Sequence, residues 1–62
     1  MDNRLKENFL RAYSNLPEKS REEIIVLVDD RTFSWNSAYF EIKNGTKTGE
    51  KILNNLRELE LI

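Results

Sequence analysis

Two stretches of the chain bring chemistry-bearing side chains close together. The first is Gly45-Thr46-Lys47-Thr48-Gly49-Glu50-Lys51, which mixes glycines, hydroxyls and lysines as a phosphate-binding loop does. Its spacing fails that chemistry. A P-loop puts four residues between its glycines and a Lys-Ser/Thr pair directly after the second, so that backbone N–H groups cradle the phosphates and the lysine reaches them. Here three residues separate the glycines, and Glu50-Lys51-Ile52 follows. Nucleotide hydrolysis is therefore not expected. What survives is a helix N-terminus whose free N–H groups, with Thr46, Thr48 and Lys47, can hold a single anion or backbone phosphate. An ordinary capped helix start explains the same residues without a ligand.

The second stretch is the acid pair Asp29-Asp30. Adjacent acids in a turn usually diverge and are there for the turn. Two ligands are also too few for a dedicated cation site. The chain has no His and no Cys, which removes the commonest metal ligand, the neutral-pH proton shuttle and thiolate chemistry. No catalytic residue, metal site, cofactor or small-molecule substrate is expected, and the chain reads as non-enzymatic.

Charge is segregated along the chain. Lys43, Lys47 and Lys51 recur every four residues, and from Lys43 to Arg57 four basic residues stand against one acid, Glu50. By contrast, residues 18–30 carry Glu18, Glu22, Glu23, Asp29 and Asp30 against Lys19 and Arg21. A basic, amide-rich helix after a tight turn is what a helix-turn-helix reader presents to DNA. The candidate nucleic-acid or anion contacts are Lys43, Asn44, Thr46, Lys47, Thr48, Lys51, Asn54 and Arg57. The ladder Leu53, Leu56, Leu59 running into Leu61-Ile62 resembles the end of a winged-helix recognition helix, over about the last 25 residues. The resemblance implies a DNA-binding regulator working through this helix pair. The chain departs from that pattern at Gly49, which replaces an apolar anchor, and at Glu60, which replaces a glycine. It also ends where the wing would begin.

The elements that position these residues follow from periodicity. Leu5, Phe9, Ala12, Tyr13 and Leu16 form one helical stripe, predicting a helix over residues 2–15 that Asp2 or Asn3 can cap and that Pro17 ends. Ser20-Arg21-Glu22-Glu23 matches a capping box, so a helix over residues 21–30 competes with a hairpin. The run Ile24-Ile25-Val26-Leu27-Val28 has four β-branched residues and suits a strand better. Strands over 23–28 and 31–34, joined by Asp29-Asp30, would pair Val28 with Arg31, Val26 with Phe33 and Ile24 with Trp35, leaving Ile25 and Leu27 on the other face. Ser34 can cap a helix over 35–44, with Asn36 as its competitor. Asn44-Gly45 ends that helix, because glycine takes the left-handed conformation freely. Thr46 then caps a helix over 47–60. Gly49 in its first turn suits a close helix crossing or close approach of a ligand. The expected fold is a small α+β domain, helix – β-hairpin – helix – helix. The alternative is an all-α bundle with residues 21–30 helical.

Sixty-two residues allow one domain, 1–62. A chain of this size buries only about 60% of the surface its unfolded form exposes, so stability needs tight packing or self-association. Hydrophobic content of 39% in periodic clusters indicates a folded globule and not a disordered chain. A net charge of −1 gives no global attraction to nucleic acid or anionic lipid. No apolar run approaches the roughly 20 residues of a membrane span, and the charged N-terminus lacks a signal-peptide core. The expected compartment is the cytoplasm, with no membrane partner. Leu10, Ile25, Leu27, Phe40, Leu61 and Ile62 fall off the stripes. A contiguous patch of them would mark a protein interface, and a homodimer would bury them. The sequence thus points to a small intracellular module working through macromolecular contacts. Protein–protein contact or self-association is one form, and DNA binding by the C-terminal helix pair is the other.

Overall fold

The computed structural model describes residues 3–62, and Asn3 by its backbone alone. Capping by Asp2 or by the Asn3 side chain lies outside the described residues. Helix α1 spans Asn3–Ser14 and turns Phe9 fully inward. It stops three residues before Pro17, whose ring disfavours helical backbone in the residue before it. A short 3₁₀ turn, Ser20–Glu22, follows. Its Ser20 side chain caps nothing, because Glu23 has already swung to extended backbone at φ −73°, ψ 139°. The capping box is therefore unused, and the all-α alternative with residues 21–30 helical is not adopted. Ile24–Val28 forms strand β1 and Arg31–Ser34 forms strand β2. Helices α2, Trp35–Lys43, and α3, Lys47–Glu58, complete the chain. The fold is α+β, helix–hairpin–helix–helix.

The hairpin turn has its physical reason in Asp29 and Asp30. Both take positive φ, 53° and 65°, as a two-residue turn matched to strand twist requires. Aspartate tolerates this region better than most residues, because its short polar side chain bonds locally. Val28 pairs with Arg31, Leu27 with Thr32 and Val26 with Phe33. The register then slips: Ile24 pairs with Ser34 and not, as expected, with Trp35. Ile25 is the extra residue of a bulge, which reverses the facing of side chains beyond it. Ile24 is consequently 61% exposed, whereas Ile25 packs against the core. The expectation that Ile25 shares the outer face with Leu27 is corrected by that one-residue slip.

Strand β2 leads into α2 with no linker. Ser34 is extended at φ −88°, ψ 174°, and its hydroxyl accepts from the Ser37 N–H at 3.2 Å. Ser37 returns the contact, its hydroxyl accepting from the Ser34 N–H at 2.8 Å. Helix α2 closes on Gly45 at φ 68°. The Gly45 N–H donates to the Ile42 carbonyl at 3.1 Å, and the Thr46 N–H to the Glu41 carbonyl at 3.2 Å. This is a Schellman closure. Thr46 then caps α3, accepting from the Gly49 N–H at 2.9 Å. Its hydroxyl donates to the Glu41 carboxylate at 2.6 Å.

Gly49 explains how tightly α2 and α3 cross. A Cβ there would lie 2.7 Å from the Glu41 carbonyl oxygen and 3.0 Å from the Ile42 Cα. Those are backbone atoms, so no side-chain adjustment would make room. The glycine serves a helix crossing.

The core comprises Phe9, Val26, Val28, Phe33, Trp35, Ala38, Ile42, Ile52 and Leu56, with one contribution or more from every helix and both strands. Phe9 and Trp35 meet at a ring separation of 5.5 Å. Beside them stands a column of rings and cations. Arg21 lies over Tyr13 at 4.3 Å, Tyr13 stacks on Tyr39 at 4.3 Å, and Lys43 lies over Tyr39 at 5.8 Å. The column ties the 3₁₀ turn and α1 to α2, supported by the Tyr13 hydroxyl donating to Asn36 Oδ1 at 2.7 Å.

Candidate interaction surfaces

The outward face of α3 carries Lys47, Glu50, Lys51, Asn54, Arg57 and Glu58, all exposed at the three- and four-residue spacings that put side chains on one face. Two acids thus interrupt three cations. Lys51 reaches across to the hairpin turn, where its Nζ lies 2.9 Å from Asp29 Oδ2. Lys43 lies over the Tyr39 ring. The four cations that sequence spacing grouped are therefore divided between three environments. Of the remaining candidates, Asn44 donates its side-chain amide to the Phe40 carbonyl at 3.0 Å, and Thr46 is engaged by the cap. Thr48 is half-buried. Lys47, Asn54 and Arg57 stay open to solvent.

A cleft of about 490 Å³ opens between the first turn of α1 and the α2–α3 corner. Leu5, Ile42 and Leu53 form its apolar wall, and Lys6, Glu50 and Arg57 its charged rim. The rim mixes both signs, and the polar Thr46 hydroxyl facing it is already shared between Gly49 and Glu41.

The second depression, about 350 Å³, lies between β1 and the C-terminal half of α3. Ile25, Val26 and Leu27 line it from one side, with Asn55, Glu58 and Leu59 opposite. Successive strand residues point to opposite faces, so three in a row line one groove along the strand's edge. Among the described residues the sheet has two strands, and β1 pairs with β2 alone. In a two-residue hairpin the pair flanking the turn, Val28 and Arg31, exchanges both bonds. Alternation then points the Leu27 N–H and C=O away from β2. Among the described residues no turn, loop or cap bond reaches Leu27. The Leu27 side chain is 61% exposed and Leu59 is 58% exposed.

The apolar residues that sequence placed off the stripes separate into two groups. Leu27, Phe40 and Leu61 are exposed. Leu10, Ile25 and Ile62 pack against the core, so they present little surface to a partner. Leu10 sits on the turn of α1 beside Phe9, Ile25 is drawn in by the bulge, and Ile62 follows the closure of α3. Ile24 and Leu59 take their place on the surface. Leu59, a member of the leucine ladder in the sequence, follows the last residue of α3 and stands one residue short of the αL closure at Glu60. The Ile24 exposure has no signal in the sequence, because nothing in a run of five apolar residues marks where a bulge falls.

Among the described residues no group of three or more His, Cys, Asp or Glu side chains is placed to hold a metal ion. No described helix is long and apolar enough to cross a membrane. Comparison with protein-family models, curated proteins and solved structures found no match for this chain.

Proposed function

We propose that this chain is a non-catalytic protein-interaction module that docks its partner along the free edge of β1. The supporting observation is the pairing of an open strand edge with two exposed leucines, Leu27 and Leu59, in one groove. An unpaired edge offers backbone donors and acceptors to an added strand. Apolar side chains beside it supply the burial that hydrogen bonds alone do not. A photo-reactive residue at position 27 tests this reading. It should give a discrete adduct in the native cell extract that Leu59→Asn abolishes, whereas the same probe at exposed position 36 on α2 should not. Equal labelling from both positions would reject the groove.

Nucleic-acid binding is the second reading, favoured by the shared exposure of Lys47, Asn54 and Arg57 on α3. Glu50 and Glu58 on the same face weigh against it, as does the Lys51–Asp29 pair. Binding to mixed-sequence duplex at low salt, with Lys47→Ala and Arg57→Ala each lowering the salt slope by about 1, would establish it.

A further inference from the structure

We infer that the segment docking on β1 is an extended stretch of another protein with apolar residues at alternate positions and lysine or arginine at both ends; this rests on the reading of β1 as a docking edge. The backbone half of the argument is the outward Leu27 N–H and C=O, which pair with an extended chain and with little else. Alternate side chains of an added strand point to one face, so every second one meets Leu27 and Leu59. The charge half comes from the ends of the edge. Glu22 and Glu23 precede β1, Asp29 and Asp30 follow it, and Glu58 stands on the far wall of the groove. Only Asp29 has an ion-pair partner among the described residues, Lys51. Glu22, Glu23, Asp30 and Glu58 are all exposed and carry their charge toward solvent.

Of the cations adjoining these acids in sequence, Lys19 is exposed in the turn before Glu22, and Arg21 and Arg31 are engaged with aromatic rings. Arg21 lies over Tyr13 and donates to the Tyr13 carbonyl at 3.2 Å, toward α1. Arg31 lies over the Phe33 ring, on the strand away from the free edge. The edge is thus an apolar strip with exposed acids outside any ion pair, among the described residues, at either end: Glu22 and Glu23 before it and Asp30 after it. Glu23 and Asp29 flank the five residues of β1, six steps or roughly 20 Å apart along an extended chain. A strand with cations at that separation satisfies both. A second copy of this chain does not. Antiparallel pairing of β1 with itself would set Glu22 and Glu23 of one copy against Asp29 and Asp30 of the other, at both ends, and like charges brought together oppose association.

The test uses the full chain labelled with nitrogen-15 and two blocked peptides, each an alternating Val-Thr core. One carries two lysines at each end and the other two glutamates. The lysine-ended peptide should shift the amides of Ile25, Leu27, Asn55 and Leu59, slow exchange at Leu27, and bind about tenfold more tightly than its acidic counterpart. Glu23→Lys with Glu58→Lys, both at exposed positions, should remove most of that preference. Equal affinity for both peptides at these amides would overturn the basic partner and leave the docking edge standing. Protection of Leu27 that rises with protein concentration and needs no peptide would mean a second copy, and would likewise overturn it. If neither peptide binds and Leu27 exchanges freely at every concentration, the inference and the docking reading fall together.

Discussion

The two ends of α3 make opposite use of their special residues. At the N-terminal end, Gly45, Thr46 and Gly49 are all absorbed by the contact with α2. Gly45 supplies the left-handed closure, Thr46 the cap and Gly49 the clearance. At the C-terminal end the same Schellman geometry recurs. Glu60 donates its N–H to the Arg57 carbonyl at 3.0 Å, and Leu61 to the Leu56 carbonyl at 2.9 Å. The left-handed residue there is Glu60, at φ 61°, and not glycine. Around it Leu59 and Leu61 stay exposed, Leu59 opposite the edge of β1 that pairs with no strand among the described residues. The end that resembles a phosphate loop in composition is the structural one. The end that looks like routine core in sequence presents the open surface.

Substitutions sharpen the contrast. The largest effect belongs to Gly49→Ala. Its methyl group would press on the α2 backbone, and overpacking of this kind costs ~2–3 kcal/mol. Urea unfolding should show a lower midpoint with unchanged slope; a loss under half a unit of kcal/mol would mean that the crossing can open. Thr46→Ala comes next. It removes the bond to Gly49 and the donor to Glu41, for a loss of ~1 kcal/mol. Thermal unfolding reads it directly, and an unchanged midpoint would show the cap to be dispensable.

Glu60→Gly acts at the other end with the opposite sign. Relieving left-handed strain should stabilise by about 0.5–1 kcal/mol, seen as a raised midpoint. A decrease would mean that the Glu60 side chain contributes more than its strain costs. Leu59→Asn should leave stability within ~0.5 kcal/mol, because the side chain is mostly in solvent. Marked destabilisation would show that Leu59 belongs to the core and would weaken the groove as a docking surface. Lys51→Ala should likewise have only a small effect. Its pair with Asp29 is exposed on both sides, and such pairs contribute ~0–1 kcal/mol. Raising the salt concentration should erase the difference from the parent chain.

Much of this was legible because it depends on local chemistry. Ser34 and Thr46 have side chains that reach the N–H groups three residues on, wherever the helix points. Asp29-Asp30 sits between an apolar run and an alternating one, so a turn there follows from the pattern on either side. The bulge was not legible. Ile24 and Ile25 are identical residues in an apolar run, and which of them faces inward depends on how far Ser34 must advance to start α2. The basic cluster was misgrouped for a related reason. Lys43, Lys47 and Lys51 are neighbours along the chain, but the first lies over the Tyr39 ring and Asp29 draws the last toward the hairpin. Glu58 lay outside the counted stretch and returns to the same face after two turns of α3.

Sequence alone favoured the hairpin order over an all-α bundle and marked Ser34 and Thr46 as caps and Gly45 as the closure after α2, because each rests on groups within four residues of one another. Tertiary structure decided the rest. Whether Gly49 meets a helix or a ligand, which isoleucine is buried, where each lysine points and whether β1 has a second neighbour all depend on what packs across from them. Those partners lie far off in the chain, as Lys51 and Asp29 do at a separation of 22 residues. No local preference encodes a contact at that distance; it is set by how the helices and hairpin together bury one core.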